Sequence, residues 1–89
     1  MPAISMFYGI IVYLYFFDNK QHSIPHIHAE FQDEKVVVSI NDLEILSGDF
    51  PKNKLRLLLA WMELHRDELL ANWKLAVSGQ EIFKIDPLR

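Results

Sequence analysis

Eighty-nine residues with 51% hydrophobic content and a formal net charge of −3 describe one small domain, 1–89, that is rich in apolar side chains for its size. The acidic balance argues against broad, nonspecific nucleic-acid binding, and the lack of cysteine excludes disulfides and thiolate metal sites. A secreted domain this small would usually need disulfide staples, so the composition points to the cytoplasm.

Ile10 to Phe17 is an unbroken apolar run, well short of the ~20 residues a membrane span needs. No Lys or Arg precedes Lys20, so the basic flank of a signal peptide is missing. β-Branched and aromatic residues dominate the run, and Gly9 and Asp18-Asn19 bound it, as for a strand buried on both faces. Its surface exceeds what one helix can cover. Tyr13, Tyr15 and Phe17 are therefore expected at an interface with a second subunit or a partner.

After a polar loop ending at Pro25, the stretch His26-Ile27-His28-Ala29-Glu30 places three ionisable side chains at alternate positions. Strand geometry puts them on one face, roughly 7 Å apart along the chain, with Ile27, Ala29 and Phe31 on the other. Residues 26 to 31 and 35 to 40 read as a hairpin. A two-residue loop would pair Glu30 with Lys35, and a four-residue loop would pair Phe31 with Val36. Both loops keep Ile27, Ala29 and Phe31 on the face of Val36, Val38 and Ile40. The helix is expected on that apolar face, with the histidines turned away from it. Glu44 to Leu46 forms a short fourth strand closed by Ser47-Gly48.

Pro51 suits a first helical turn, and Leu55, Leu58, Leu59, Met62, Leu69 and Trp73 make an apolar stripe that stops at the cap Ser78-Gly79. A straight helix of this length would reach about 42 Å, so a bend or break is expected near His65-Arg66-Asp67. The segment from Gln80 to Arg89 carries Ile82, Phe83, Ile85 and Leu88, enough apolar surface to dock.

His26 and His28 could both reach one zinc- or iron-like ion about 2.0–2.1 Å away, with Glu30 as a third ligand or a base. His22 and His65 are the other candidates. Two ligands alone are secured by local spacing, and the plainer reading is a polar hairpin face with Glu30 opposite Lys35. His65 sits on the apolar stripe, where a histidine is more often a hydrogen-bonded core residue than a ligand. Lys52, Lys54 and Arg56 form a candidate anion site at the helix start, against the plainer reading of a solvated face. Trp61 and Trp73 are read as one core residue and one interface anchor.

Landmarks along the whole chain resemble one uncharacterised bacterial family, numbered 4160 among domains of unknown function. They include Met1-Pro2, Phe7-Tyr8-Gly9-Ile10, Pro25-His26-Ile27-His28-Ala29-Glu30, Leu46-Ser47-Gly48, Trp61, Leu64-His65-Arg66, Trp73, Gly79 and Ile85-Asp86-Pro87-Leu88. The family usually has two prolines before the first histidine, where this chain has Ile24-Pro25, and its preceding loop is shorter. The resemblance implies a short partner protein encoded alongside, in a toxin–antitoxin-like pair. It implies no catalytic residue.

The reading is an α+β domain: a small, mainly antiparallel sheet of three to four strands packed against one long, bent C-terminal helix. The leading function is a cytoplasmic protein-interaction module, working as a homo-oligomer or in a hetero-complex with a small operon-encoded protein. The alternative is a metal-dependent hydrolase or nuclease built on His26, His28 and Glu30, with His65 as a further ligand. No helix-turn-helix pattern or basic stripe supports specific DNA binding, and no segment is read as crossing a membrane.

Overall fold

The computed structural model describes residues 3–14 and 24–89; Tyr15, Phe17 and His22 therefore lie outside the described residues. Five strands, β1 (Ala3–Phe7), β2 (Ile10–Tyr13), β3 (His26–Phe31), β4 (Glu34–Ser39) and β5 (Ile45–Gly48), form one antiparallel sheet in chain order. Two helices follow, α1 (Lys52–Leu64) and α2 (Arg66–Val77). The α+β class stands. The strand count rises to five, and the single long helix becomes two.

The additional strand is β1. Phe7 pairs with Ile10 across Tyr8-Gly9, whose φ angles of 51° and 81° are those of a type I′ hairpin turn. Glycine takes that conformation freely, and a Cβ at Gly9 would lie 3.0 Å from the Phe31 ring. The β3–β4 hairpin uses the shorter of the two possible loops, pairing Phe31 with Glu34 and Glu30 with Lys35 around Gln32-Asp33. Between β4 and β5, the Ser39 hydroxyl and the Glu44 N–H hold the Asp42 carboxyl below its ordinary range, fixing that turn.

Register decides which side chains share a face. Val12, Ala29 and Val36 lie side by side, as do Ile27 and Val38, and all are buried. Leu58, Trp61 and Met62 of α1 belong to the same core, with Leu55 and Leu59 packed at its margin. Phe50 seals the hairpin end, its ring T-shaped to Phe31 at 6.3 Å. Pro51 stands just before α1, where its missing N–H costs nothing and its carbonyl accepts from Leu55 N–H at 2.9 Å.

An unbroken helix from Lys52 to Val77 would run about 39 Å at 1.5 Å per residue, longer than the 34 Å greatest dimension of the molecule. The break falls at His65, within the expected stretch. Arg66 holds the corner, with its guanidinium forked onto Glu63 at 2.9 and 3.2 Å and its Nε–H directed to Ile40 O at 3.3 Å. At the far end of α2, Gly79 N–H bonds Ala76 O at 3.1 Å and Gln80 N–H bonds Leu75 O at 2.8 Å, with Gly79 at φ 73°. This is a Schellman cap, and it turns the chain back.

The segment 80–89 then runs as a strap beside β1. Ile85, nearly fully buried, donates its N–H to Ile4 O at 2.8 Å on the outer edge of the sheet. Asn72, fully buried on α2, grips the backbone of Phe83 from both sides: its Nδ2 donates to Phe83 O at 2.7 Å and its Oδ1 accepts from Phe83 N–H at 2.9 Å. Trp61 Nε1 donates to Asp86 O at 2.7 Å.

Candidate functional site

The His-x-His strand is β3, and its alternation holds. His26 faces the same way as Ser39, His28 as Tyr13 and Val37, and Glu30 as Ile11 and Lys35, all opposite Ile27 and Ala29. The expectation that this face turns away from the helices fails at His26. That residue is 0% exposed, and its ring lies 5.0 Å from the Trp73 ring of α2 and 5.2 Å from the His28 ring. The cause is the break at His65, which frees α2 from the line of α1 and brings Trp73 onto the beginning of β3. His26 Nδ1 donates to Ile24 O at 2.7 Å, which fixes the ring and the turn through Pro25. His26 thus packs as a core residue, while His28 and Glu30 are half-buried farther along the strand.

His28, Glu30, Lys35, Val37 and Ser47 line a shallow cavity of about 170 Å³ on that face, where β3, β4 and β5 lie side by side. Lys35 stands opposite Glu30 as the two-residue loop requires, and Ser47, which the sequence alone does not place here, follows from register, since Val37 pairs with both His28 and Ser47.

Among the described residues, the candidate metal ligands are not gathered into one cluster. His65 sits at the corner between the helices: its Nδ1 bonds Glu68 Oε1 at 2.5 Å and its ring lies tilted against that of Trp61, centroids 5.5 Å apart. Among the described residues, no three His, Asp or Glu side chains come together to surround an ion. His65 is therefore not gathered with His26, His28 and Glu30, and an ion there would need a ligand from outside the described residues, such as His22, or from a second subunit, since two imidazoles on a strand bind weakly without a third ligand. Zinc titrated calorimetrically into the wild-type protein and into His28→Ala/Glu30→Ala should give equal, weak heats. Tight binding lost in the variant would restore the metal site.

The candidate anion site separates in the same way. Successive helical residues turn by about 100°, so Lys54 lies opposite Lys52 and Arg56. Lys54 reaches back to the β1–β2 turn, donating to Tyr8 O at 2.9 Å and sitting 4.8 Å over the Phe31 ring. Lys52 and Arg56 stay exposed. Of the interface residues, Trp61 is a correction. It is fully buried in the core, its ring 5.1 Å from Phe7, because position 61 falls on the stripe with Leu58 and Met62. Trp73 is half-buried against His26, and Tyr13 is half-buried beside His28.

Asn72 and the strap were missed as a unit. The only hint in the sequence is a polar residue three positions after Leu69, on the buried stripe of α2. A side-chain amide there must find backbone to bond.

The sequence model of a family described as a domain of unknown function, DUF4160, matches residues 9–74. The chain belongs to DUF4160. No curated protein and no solved structure matches it. The DUF4160 match takes in β2 to β5, α1 and most of α2, including the whole histidine strand. β1 and the strap lie outside it, and these are the two segments joined by the Ile85–Ile4 bond. Among the described residues, no helix is long and apolar enough to cross a membrane.

Proposed function

We propose that this DUF4160 chain is a small cytoplasmic protein-interaction module, one half of a two-gene, toxin–antitoxin-like pair that acts through its partner protein. The carrying observation is apolar surface left open at the N-terminal side of the sheet. Met6 is 62% and Tyr8 53% exposed, and Met6 adjoins Ile11 on the face that also carries Tyr13 and Val37, each half-buried. A row of this kind, bordered by Glu30 and Lys35, has the make-up of an interface with a polar rim. The paired-gene arrangement is supported by the family resemblance, and the cytoplasmic setting by a chain without cysteine.

The test is co-purification with the small protein encoded alongside, followed by light scattering and titration. Met6→Asp/Tyr8→Asp should weaken the complex by about tenfold or more while barely moving the unfolding midpoint, because both side chains are exposed. Aspartate tolerates the left-handed backbone at position 8, and the Tyr8 carbonyl that Lys54 uses is unchanged. A monomer that binds nothing from its own operon would end this reading.

A further inference from the structure

The strap is held by backbone hydrogen bonds and by Ile82, Ile85 and Leu88 packed against the core. Asn72 bonds both polar groups of Phe83, Trp61 bonds the carbonyl of Asp86, and Ile4 bonds the N–H of Ile85. The one side chain of the strap that is fully engaged is Ile85, 4% exposed. The groove between β1 and α2 is thus a receptor for an extended segment with Ile85 as its most deeply buried anchor and Ile82 and Leu88 packed beside the core. Beside the Ile85–Ile4 bond, Ala3–Met6 and Lys84–Pro87 together line an open cavity of about 340 Å³.

Residues 78–82 run from the end of α2 into the first residues of the strap and contain the reversal at Gly79. A Cβ at Gly79 would meet nothing within 4 Å, so the reversal itself is set by its own hydrogen bonds and a left-handed φ of 73°, with open space around Gly79. Opened to an extended form, those five residues reach about 17 Å. Exposed apolar side chains stand on both sides of this hinge, Val77 at 49% and Phe83 at 40%.

We propose that the groove also receives the strap of a second copy, giving a closed dimer in which each strap crosses to its partner. Every bond made by the strap is preserved in the exchange, because the groove and its ligand are the same in both copies. The crossing places two hinges side by side, which gives the four exposed side chains, Val77 and Phe83 of each copy, a surface to cover. The occupant is argued from fit: the segment already known to satisfy Asn72, Trp61 and Ile4 is this one. The inference goes beyond the partner-protein reading and does not depend on it.

The chain has no cysteine, so engineered thiols are the only ones present. Met6→Cys and Lys84→Cys place one thiol on β1 and one on the strap, lining the same cavity, at exposed positions that make none of the strap's hydrogen bonds. The two single variants, with tags of different mass, are unfolded together, refolded at high concentration and treated with a short bis-maleimide. Exchange predicts a mixed cross-linked species far above the like-with-like products, and a light-scattering mass about twice the 10.5 kDa of one chain. Hinge length gives the second arm. Deleting Gln80 and Glu81 should drive the population to dimer, and inserting six Gly/Ser residues after Gly79 should drive it to monomer.

Mixed cross-links no more abundant than like-with-like ones, or a mass indifferent to hinge length, would overturn the exchange. A dimer with hinge-independent mass and no mixed link would place the contact elsewhere on the surface, which also overturns it. Partner binding is measured separately, so an intact hetero-complex without strap exchange would refute this inference and leave the proposed function standing.

Discussion

Trp61→Ala should destabilise the domain by about 3–5 kcal/mol, the largest loss expected from any single truncation of its core. The indole is fully buried, packs 5.1 Å from Phe7 and 5.5 Å from His65, and donates to Asp86 O at 2.7 Å. One side chain thus joins the N-terminal hairpin, the corner between the helices and the strap. Removing it opens a cavity that three separately anchored elements cannot collapse into, which is the condition for the upper end of the range. Domains of this size have only about 5–15 kcal/mol in total, so the variant should sit near its unfolding transition at room temperature. Trp61→Phe separates the contributions. It keeps an aromatic ring in the core but loses the donor to Asp86, and it should cost about 1 kcal/mol for the hydrogen bond plus a smaller packing loss. Urea unfolding followed by circular dichroism measures both, since fluorescence would be compromised by the change itself. A Trp61→Ala protein within 1 kcal/mol of wild type, far below the expected ~3–5, would show that the strap and hairpin pack without it.

The hairpin at the centre of the sheet was legible in the sequence because its rule is parity. Either loop length put Ile27 and Ala29 with Val36 and Val38, and the register bears that out. The helical stripe, the break near His65 and the Ser78-Gly79 stop were legible for similar reasons: spacing of three and four, excessive length, and a glycine where a left-handed cap is needed. β1 was not legible, because Tyr8-Gly9 is a weaker turn signal than Asn-Gly and the long apolar run after it drew the first strand to Ile10.

The surroundings of the histidine strand were legible only in part. Periodicity correctly placed His26 and His28 on one face, but the step from polar face to solvent-facing face assumed a single helix covering only one side of the sheet. With the chain broken at His65, α2 contributes Trp73 to the second side, and His26 becomes interior. A histidine there needs a hydrogen-bonding partner more than it needs a metal, and Ile24 O supplies one. Long-range pairings such as Asn72 with the Phe83 backbone have no local signature at all. They depend on where the strap lands, eleven residues later.

Gly48→Ala should be the most damaging change that adds a single methyl group. Gly48 closes β5 opposite Val36, at φ 84°, in the left-handed region that side chains rarely adopt. A Cβ there would stand 2.2 Å from Lys35 O and 2.9 Å from Val36 Cα. These are backbone atoms inside the sheet, so no rotamer change can make room; β5 must separate from β4 or the chain must leave its φ. The same Lys35 carbonyl accepts from Asp49 N–H at 2.9 Å, a bond that would be lost in either case. Adding overpacking to backbone strain, the expected cost is about 3 kcal/mol or more. The damage should be directional. Asp49 leads through Phe50 and Pro51 into α1, so hydrogen exchange should quicken first at Asp49 and in β5, while β1 and β2, held together by the turn at Gly9, stay protected. Gly79→Ala serves as the control, since its φ of 73° carries similar backbone strain but a Cβ there meets nothing within 4 Å. It should cost about 1 kcal/mol. Equal losses from the two variants would mean that the close approach of Gly48 to the Lys35 carbonyl is not what requires glycine there.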